Sequence, residues 1–220
     1  MYLLVQAHQY ARYSSLLEQS FRLRKRIFHD TLNWKVDVAG DFERDAYDDL
    51  GPAYLMWCNH DASKLYGTLR LMPTTGPTLL HDVFGRTCPD VDLMAPGIWE
   101  GTRMCIDVEA LRQDEPELDS SKAFCLLLLA LCECAMAHGI DTLVCNYEPQ
   151  MARIYRRAGL PVDEVGRADG YGRFPVCCGV FDVSRNTHLK MQNALGIAHP
   201  LYCYNSSGGA DIVQPVRNFT

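Results

Sequence analysis

Ile98-Trp99-Glu100-Gly101-Thr102-Arg103-Met104-Cys105-Ile106-Asp107 is the stretch on which the fold turns. Apolar and polar residues alternate through it, which is the period of a β-strand, and its position makes it a central one. On such a strand Glu100 and Thr102 share one face, whereas Trp99, Gly101 and Arg103 share the other. A bulge at Gly101 would bring Glu100 and Arg103 together.

Working outward, residues 53–59 and 64–72 read as two neighbouring strands joined through Asn59-His60-Asp61, and Pro73-Thr74-Thr75-Gly76-Pro77 ends the second. Downstream, Asp119-Ser120-Ser121 caps a helix predicted over 122–138, which Gly139 terminates. A strand at 142–146 follows, then a helix over 149–158 stopped by Gly159 and Pro161. Strands at 162–165 and 174–183 flank the turn Ala168-Asp169-Gly170-Tyr171-Gly172, and helical turns cover 184–195. Towards the N-terminus, a strand at 2–7 precedes a helix over 9–27, spaced by Tyr13, Leu16, Leu17, Phe21, Leu23 and Phe28. Residues 30–51 hold no sustained apolar period and read as a long loop, a feature that is usually functional in a compact domain. The expectation is one domain over 1–200 with a tail over 201–220. Its class is an α/β sandwich around a mixed, mostly antiparallel sheet.

Composition narrows the classes. A chain of 220 residues with 48% hydrophobic and 22% charged residues can bury a sizeable core. The net charge of −6 argues against a general nucleic-acid binder. The ten cysteines lack the paired C-x-x-C spacing of a zinc site, so no metal is expected, and reduced thiols are the economical reading. Met1-Tyr2-Leu3-Leu4-Val5-Gln6-Ala7-His8 has no basic start and too short an apolar run for a signal peptide. The longest apolar run stops at Glu133, short of a membrane span. A cytoplasmic protein is expected.

Several polar and aromatic residues stand apart from this scaffold. Arg24 and Phe28 lie one helical turn apart; Trp34, Asp45 and Asp48 sit in the long loop; Arg70 closes a strand; Glu100 and Arg103 sit on the central one. Singly, each is explained by solvated charge or an edge-filling ring. Together, Arg24-x-x-x-Phe28, Trp34, Asp45, Asp48, Arg70 and Glu100-x-x-Arg103 resemble the acyl-homoserine-lactone synthases, the LuxI-type autoinducer synthase family. Leu69-Arg70-Leu71-Met72-Pro73, Asp82-Val83-Phe84 and Arg157-Ala158-Gly159 continue the likeness, which runs to about Leu195.

The resemblance implies a fold similar to the GNAT-type N-acetyltransferases. It also implies a reaction: an acyl group passes from acyl carrier protein to S-adenosylmethionine, which lactonises and releases methylthioadenosine. S-adenosylmethionine is then a co-substrate, with no permanently bound cofactor. Glu100 is expected as the base that unloads the amine, or as an ion-pair partner of Arg24 or Arg103. Arg103 suits the methionine carboxylate, because a guanidinium fork matches a carboxylate. Phe28, Trp34 and Phe84 suit the adenine or the sulfonium. Asp45 and Asp48 would close the loop by pairing with Arg24 and Arg70.

The donor reads from charge. The junction Asp114-Glu115-Pro116-Glu117-Leu118-Asp119-Ser120-Ser121 is acidic and lacks the glycines that cradle a CoA pyrophosphate, which favours a carrier protein. Carrier proteins are acidic, so the run 22–26 and the set Arg153, Arg156, Arg157 are the docking candidates. Met104, Phe124, Leu127, Leu128, Met151 and Ile154 are expected to line the acyl chain, or simply to pack the core. Family members that make 3-oxo products commonly carry a threonine at the position matching Tyr147, and Val144-Cys145-Asn146-Tyr147-Glu148-Pro149 holds none. Residues 70–77, 99–107, 146–149 and 166–172 further resemble the rhizobial branch that makes long-chain lactones. A long acyl group, unsubstituted or 3-hydroxylated, is therefore expected. The rivals are a CoA-dependent N-acyltransferase on another amine and a non-catalytic acyl-binding or carrier-protein-binding module.

Overall fold

The structure is a computed structural model and describes residues 1–203. Its backbone is a seven-stranded sheet in the order β1-β4-β5-β6-β7-β9-β8. The strands are β1 (Tyr2–Val5), β4 (Ala53–Cys58), β5 (Leu65–Pro73), β6 (Ile98–Ile106), β7 (Thr142–Tyr147), β8 (Asp163–Ala168) and β9 (Val176–Asp182). A separate two-residue hairpin, β2 (Val38–Ala39) with β3 (Phe42–Glu43), lies in the segment expected to be a loop.

Every neighbouring pair in the sheet is antiparallel except β6 and β7. A parallel pair needs a crossover, and α3 (Val108–Asp114) and α4 (Ser120–Ala137) supply it. Alternation along β4 shows why both faces are covered. Tyr54, Met56 and Cys58 point to the side packed by α1 (Ser14–Arg24). Leu55 and Trp57 point to the other, with α4, α5 (Ala152–Arg157) and α6 (Arg185–Leu195). Helix α4 is long and apolar enough by composition to cross a membrane, but twelve of its residues are buried inside the fold as the core helix. Asp119 caps it by accepting from the Lys122 amide, as the sequence indicates.

Three expectations need correction. The first helix starts at Ser14 rather than residue 9, and it runs on through a π-helical turn over Lys25–Thr31. Helix α2 (Leu79–Asp82) and α3 are not foreseen. The irregularity in β6 lies not at Gly101 but opposite Leu69, since Thr68 pairs with Cys105 while Arg70 pairs with Thr102. Arg103, in this bulge, has a φ of 55°. Past residue 200 the core continues: Leu201 and Tyr202 amides donate to the buried Glu133 carboxylate at 2.7 and 2.8 Å.

The β6–β7 ladder is short. It joins Ile98, Trp99 and Glu100 to Thr142, Leu143 and Val144 and then stops, although β6 runs on to Ile106 and β7 to Tyr147. A cleft therefore opens between the two strands with Glu100 at its apex.

Candidate active site

Three arginines meet three carboxylates beside that cleft. The Arg24 guanidinium, arriving on α1, donates to both Asp48 oxygens at 2.9 and 2.8 Å and to Glu43 at 2.5 Å. Arg70, from β5, donates to Asp45 at 2.5 and 3.1 Å, to Asp48 at 2.9 Å and to the Thr102 hydroxyl at 3.1 Å. Arg103 donates to Glu43 at 2.9 Å and to Asp45 at 2.8 Å. The predicted pairings of Asp45 and Asp48 with Arg70 and Arg24 are thus present. Glu43, which sequence reasoning passed over, bridges Arg24 and Arg103. A signal for it existed: Glu43 and Asp45 are two residues apart, so extended backbone turns both to one side.

The bulge explains how Arg103 arrives. Strict alternation would send it to the face opposite Thr102, but the extra residue turns it into the same cluster. Charge balance then makes burial tolerable, because each desolvated ion has bidentate or multiple partners. Burial alone would raise the Asp48 carboxyl, but the hydrogen bonds and charge of Arg24, with Arg70, hold it far below the ordinary carboxylate range. Asp45 also accepts from the Tyr47 amide, and Asp48 from the Asp45 amide, so the loop is closed on itself as well as on the arginines.

Among the three arginine side chains Arg24 is 1% exposed and Arg70 0%, whereas Arg103 is 11% exposed. Only Arg103 of the three therefore presents appreciable surface to a ligand. Its guanidinium lies 5.7 Å from the centre of the Phe28 ring, which stacks on Trp34 at 5.2 Å and 23°. Phe28 sits within the π-helical turn, so the widened helix is what places the ring under Arg103. Phe84 is not brought to that stack; its ring packs on Tyr171 at 4.9 Å.

Glu100 is wholly buried and pairs with neither Arg24 nor Arg103, which corrects the ion-pair expectation. It accepts instead from the Leu79 and Leu80 amides at 3.1 and 2.6 Å, at the start of α2. Burial pushes its carboxyl up to about 7, against the lowering effect of those amides and of Arg70. A carboxylate held there is a base suited to neutral pH.

On the opposite face, Leu127, Leu128 and Tyr147 are buried in one core cluster, with Met104, Phe124, Met151 and Ile154 packed against it and partly exposed. A Cβ built on Gly101 would meet nothing within 4 Å, so there is open space beside the apex. Arg153, Arg156 and Arg157 are all exposed on α5, and Arg157 pairs with Asp119 at 3.1 Å. The run 22–26 does not form a free basic patch. Arg24 is buried, Arg22 pairs with Glu18, Lys25 with Asp30 and Arg26 with Asp107.

Comparison with known proteins bears on the fold and the family. A solved N-acetyltransferase-type protein of Lactobacillus plantarum is 18% identical and superposes with a TM-score of 0.51 over 83% of this chain and 99% of that one, which shows the acetyltransferase-like fold. The CoA-dependent acyl-homoserine lactone synthase BjaI, solved with SAM and isopentyl-CoA, is 25% identical with a TM-score of 0.78 over 90% of each chain. An acyl-homoserine-lactone synthase of Agrobacterium fabrum is 33% identical over 185 residues, 83% of this chain and 86% of its own. The autoinducer synthase family model matches residues 8–191, and the chain belongs to that family, whose curated relatives are acyl-homoserine-lactone synthases.

Proposed function

We propose that the protein acylates the amine of S-adenosylmethionine with a long, unsubstituted or 3-hydroxylated chain carried by acyl carrier protein, then releases the lactone and methylthioadenosine. The observation that carries this reading is a buried carboxylate, Glu100, at the apex of the β6–β7 cleft beside the three-arginine network.

Each step follows from the residues. Arg103, the least buried arginine of the network, takes the methionine carboxylate, and the Phe28–Trp34 stack takes the flat or cationic part of the ligand. A free α-amine has a pKa of about 7.7–8.0, so a base near neutrality suffices to unload it. Glu100 has no exposed surface, and the proton reaches it through a relay. The amine then attacks the thioester carbonyl, the C–S bond breaks and the thiolate leaves. Lactonisation needs less: the carboxylate attacks the activated carbon of its own molecule, and the sulfonium departs as a neutral thioether. The acyl chain enters by the open space at Gly101 and runs along Met104, Phe124, Met151 and Ile154, where flexible methionines suit a deformable wall.

Two observations favour a carrier protein over CoA. Asp119 already occupies the N-terminus of α4, where a pyrophosphate would otherwise sit, and it places a negative charge there. Arg153 and Arg156 stand exposed on α5 as a docking surface for an acidic partner, and the reaction would run in the cytoplasm. The CoA donor of BjaI supports the second reading, a CoA thioester. Purified protein supplied with S-adenosylmethionine and matched carrier-protein or CoA thioesters separates them: faster lactone formation from the carrier thioester is expected, and a preference for CoA overturns it. Lactones extracted from an expressing culture are expected to be long, and a dominant short 3-oxo product contradicts the chain assignment.

A further inference from the structure

Asn146 lies on β7 at the mouth of the cleft and has an unused acceptor. Glu100 pairs with Val144 across the parallel ladder, and Asn146 follows two residues on, about 6.6 Å further along the strand. Thr102 holds the matching place on β6. By alternation Val144 and Asn146 share a face; Val144 packs with Leu80, whose amide donates to Glu100, so that face is the one carrying Glu100. Leu143, Cys145 and Tyr147 face the other way, into the core beside α4. Asn146 therefore stands on the side of the arginine network, not on the acyl side.

The orientation of its amide is fixed by a relay. The Thr87 hydroxyl donates to the Phe84 carbonyl at 2.7 Å, so its hydrogen is spent and its oxygen can only accept. The group facing it at 3.0 Å must then be the Asn146 amino group. That leaves Asn146 Oδ1 buried, and among the described residues no donor reaches it. A buried acceptor left unpaired is costly, and in a native protein it wants an explanation.

We propose that Asn146 Oδ1 accepts a hydrogen bond from the α-amino group of S-adenosylmethionine, orienting the nitrogen towards the thioester while Glu100 takes the proton. Asn146 is a positioning residue for the nucleophile; the inference rests on the reading of the function given above. The face decides the ligand, because the only N–H donor that must approach Glu100 from the network side is the nucleophile itself. Thr87 acts through Asn146 by holding its amide in register.

The test compares S-adenosylmethionine with its desamino analogue, which keeps the adenosine, the sulfonium and the carboxylate and lacks only the α-amino group. Asn146→Ala is expected to weaken S-adenosylmethionine binding about tenfold by calorimetry, a loss in keeping with a hydrogen bond to a charged group, while the desamino analogue binds as before. Thr87→Val, which keeps the buried shape and frees the amide to turn, should show the same split to a smaller degree, and it serves where Asn146→Ala does not fold. Equal weakening of both ligands would mean a merely structural role, and unchanged binding of both would mean no contact; either overturns the proposal. Failure of the unaltered protein to bind S-adenosylmethionine would instead overturn the functional reading beneath it.

Discussion

Glu100 and Glu43 are both buried acids on one face of the sheet, yet their partners make them opposites. Glu43 lies between two guanidinium groups and bridges Arg24 to Arg103. Glu100 has only backbone amides as direct partners, and burial lifts its carboxyl towards neutrality. As the proposed base, Glu100 must be ionised to work, so the rate of the unaltered enzyme should rise with pH through about 7 and then level. Glu100→Gln should cut the rate roughly 10²–10⁴-fold. Its residual rate should climb with the amine's own ionisation, at about 7.7–8.0, so the deficit narrows at higher pH. A folded variant with an unchanged pH–rate profile would remove Glu100 from the proton path. Glu43→Gln should act on stability instead. It leaves Arg24 and Arg103 short of a charge in a dry site, a loss of about 3–5 kcal/mol, measurable by denaturant unfolding. A change below the error of that measurement would mean that the bridge contributes nothing.

At the scale of elements, the site depends on three local departures from regularity: the π-helical turn under Phe28, the bulge at Arg103 and the early end of the β6–β7 ladder. The regular parts were legible. Alternation located β4, β5 and β6 nearly to the residue, and the Asp119 cap and Gly139 bracketed α4. The departures were not, because each is decided by distant partners. Residues 25–31 carry no local mark of a wider helix. Helix α2 has only four residues, and its first amides are held by Glu100, some twenty positions away in sequence. Of the site, the pattern of Arg24, Asp45, Asp48, Arg70 and Arg103 was readable as a family resemblance. Its geometry was not, since the face of Arg103 is set by the bulge.

Two predictions belong to this scale. Gly101→Val fills the open space at the apex without forcing the backbone into the left-handed region, so it should raise the KM for long acyl donors and leave S-adenosylmethionine affinity unchanged. Equal use of long donors by the variant would place the acyl path elsewhere. Reversing Arg153, Arg156 and Arg157 to Glu should raise the KM for acyl carrier protein, and added salt should imitate it in the unaltered enzyme. Indifference of the kinetics to both would move docking off α5. Arg157 should contribute least, as it is already paired with Asp119.

Across the whole molecule, the sheet divides two tasks between its faces. The α1 side carries the charged network and Glu100, and the α4–α5 side carries the apolar core and the exposed arginines of α5. In the function proposed here, nucleophile and thioester meet at the β6–β7 cleft, each arriving from its own side. Nine of the ten cysteines are buried within this body and pack as small apolar residues. In the proposed reaction, acyl transfer and lactonisation occur on the same S-adenosylmethionine molecule. The most direct test is a single-turnover reaction of the purified protein with S-adenosylmethionine and a long-chain acyl carrier protein, with both products quantified by mass spectrometry. One methylthioadenosine is expected for each acyl-homoserine lactone formed. Acylation of another amine without release of methylthioadenosine, or binding of the acyl donor with no turnover, would contradict it.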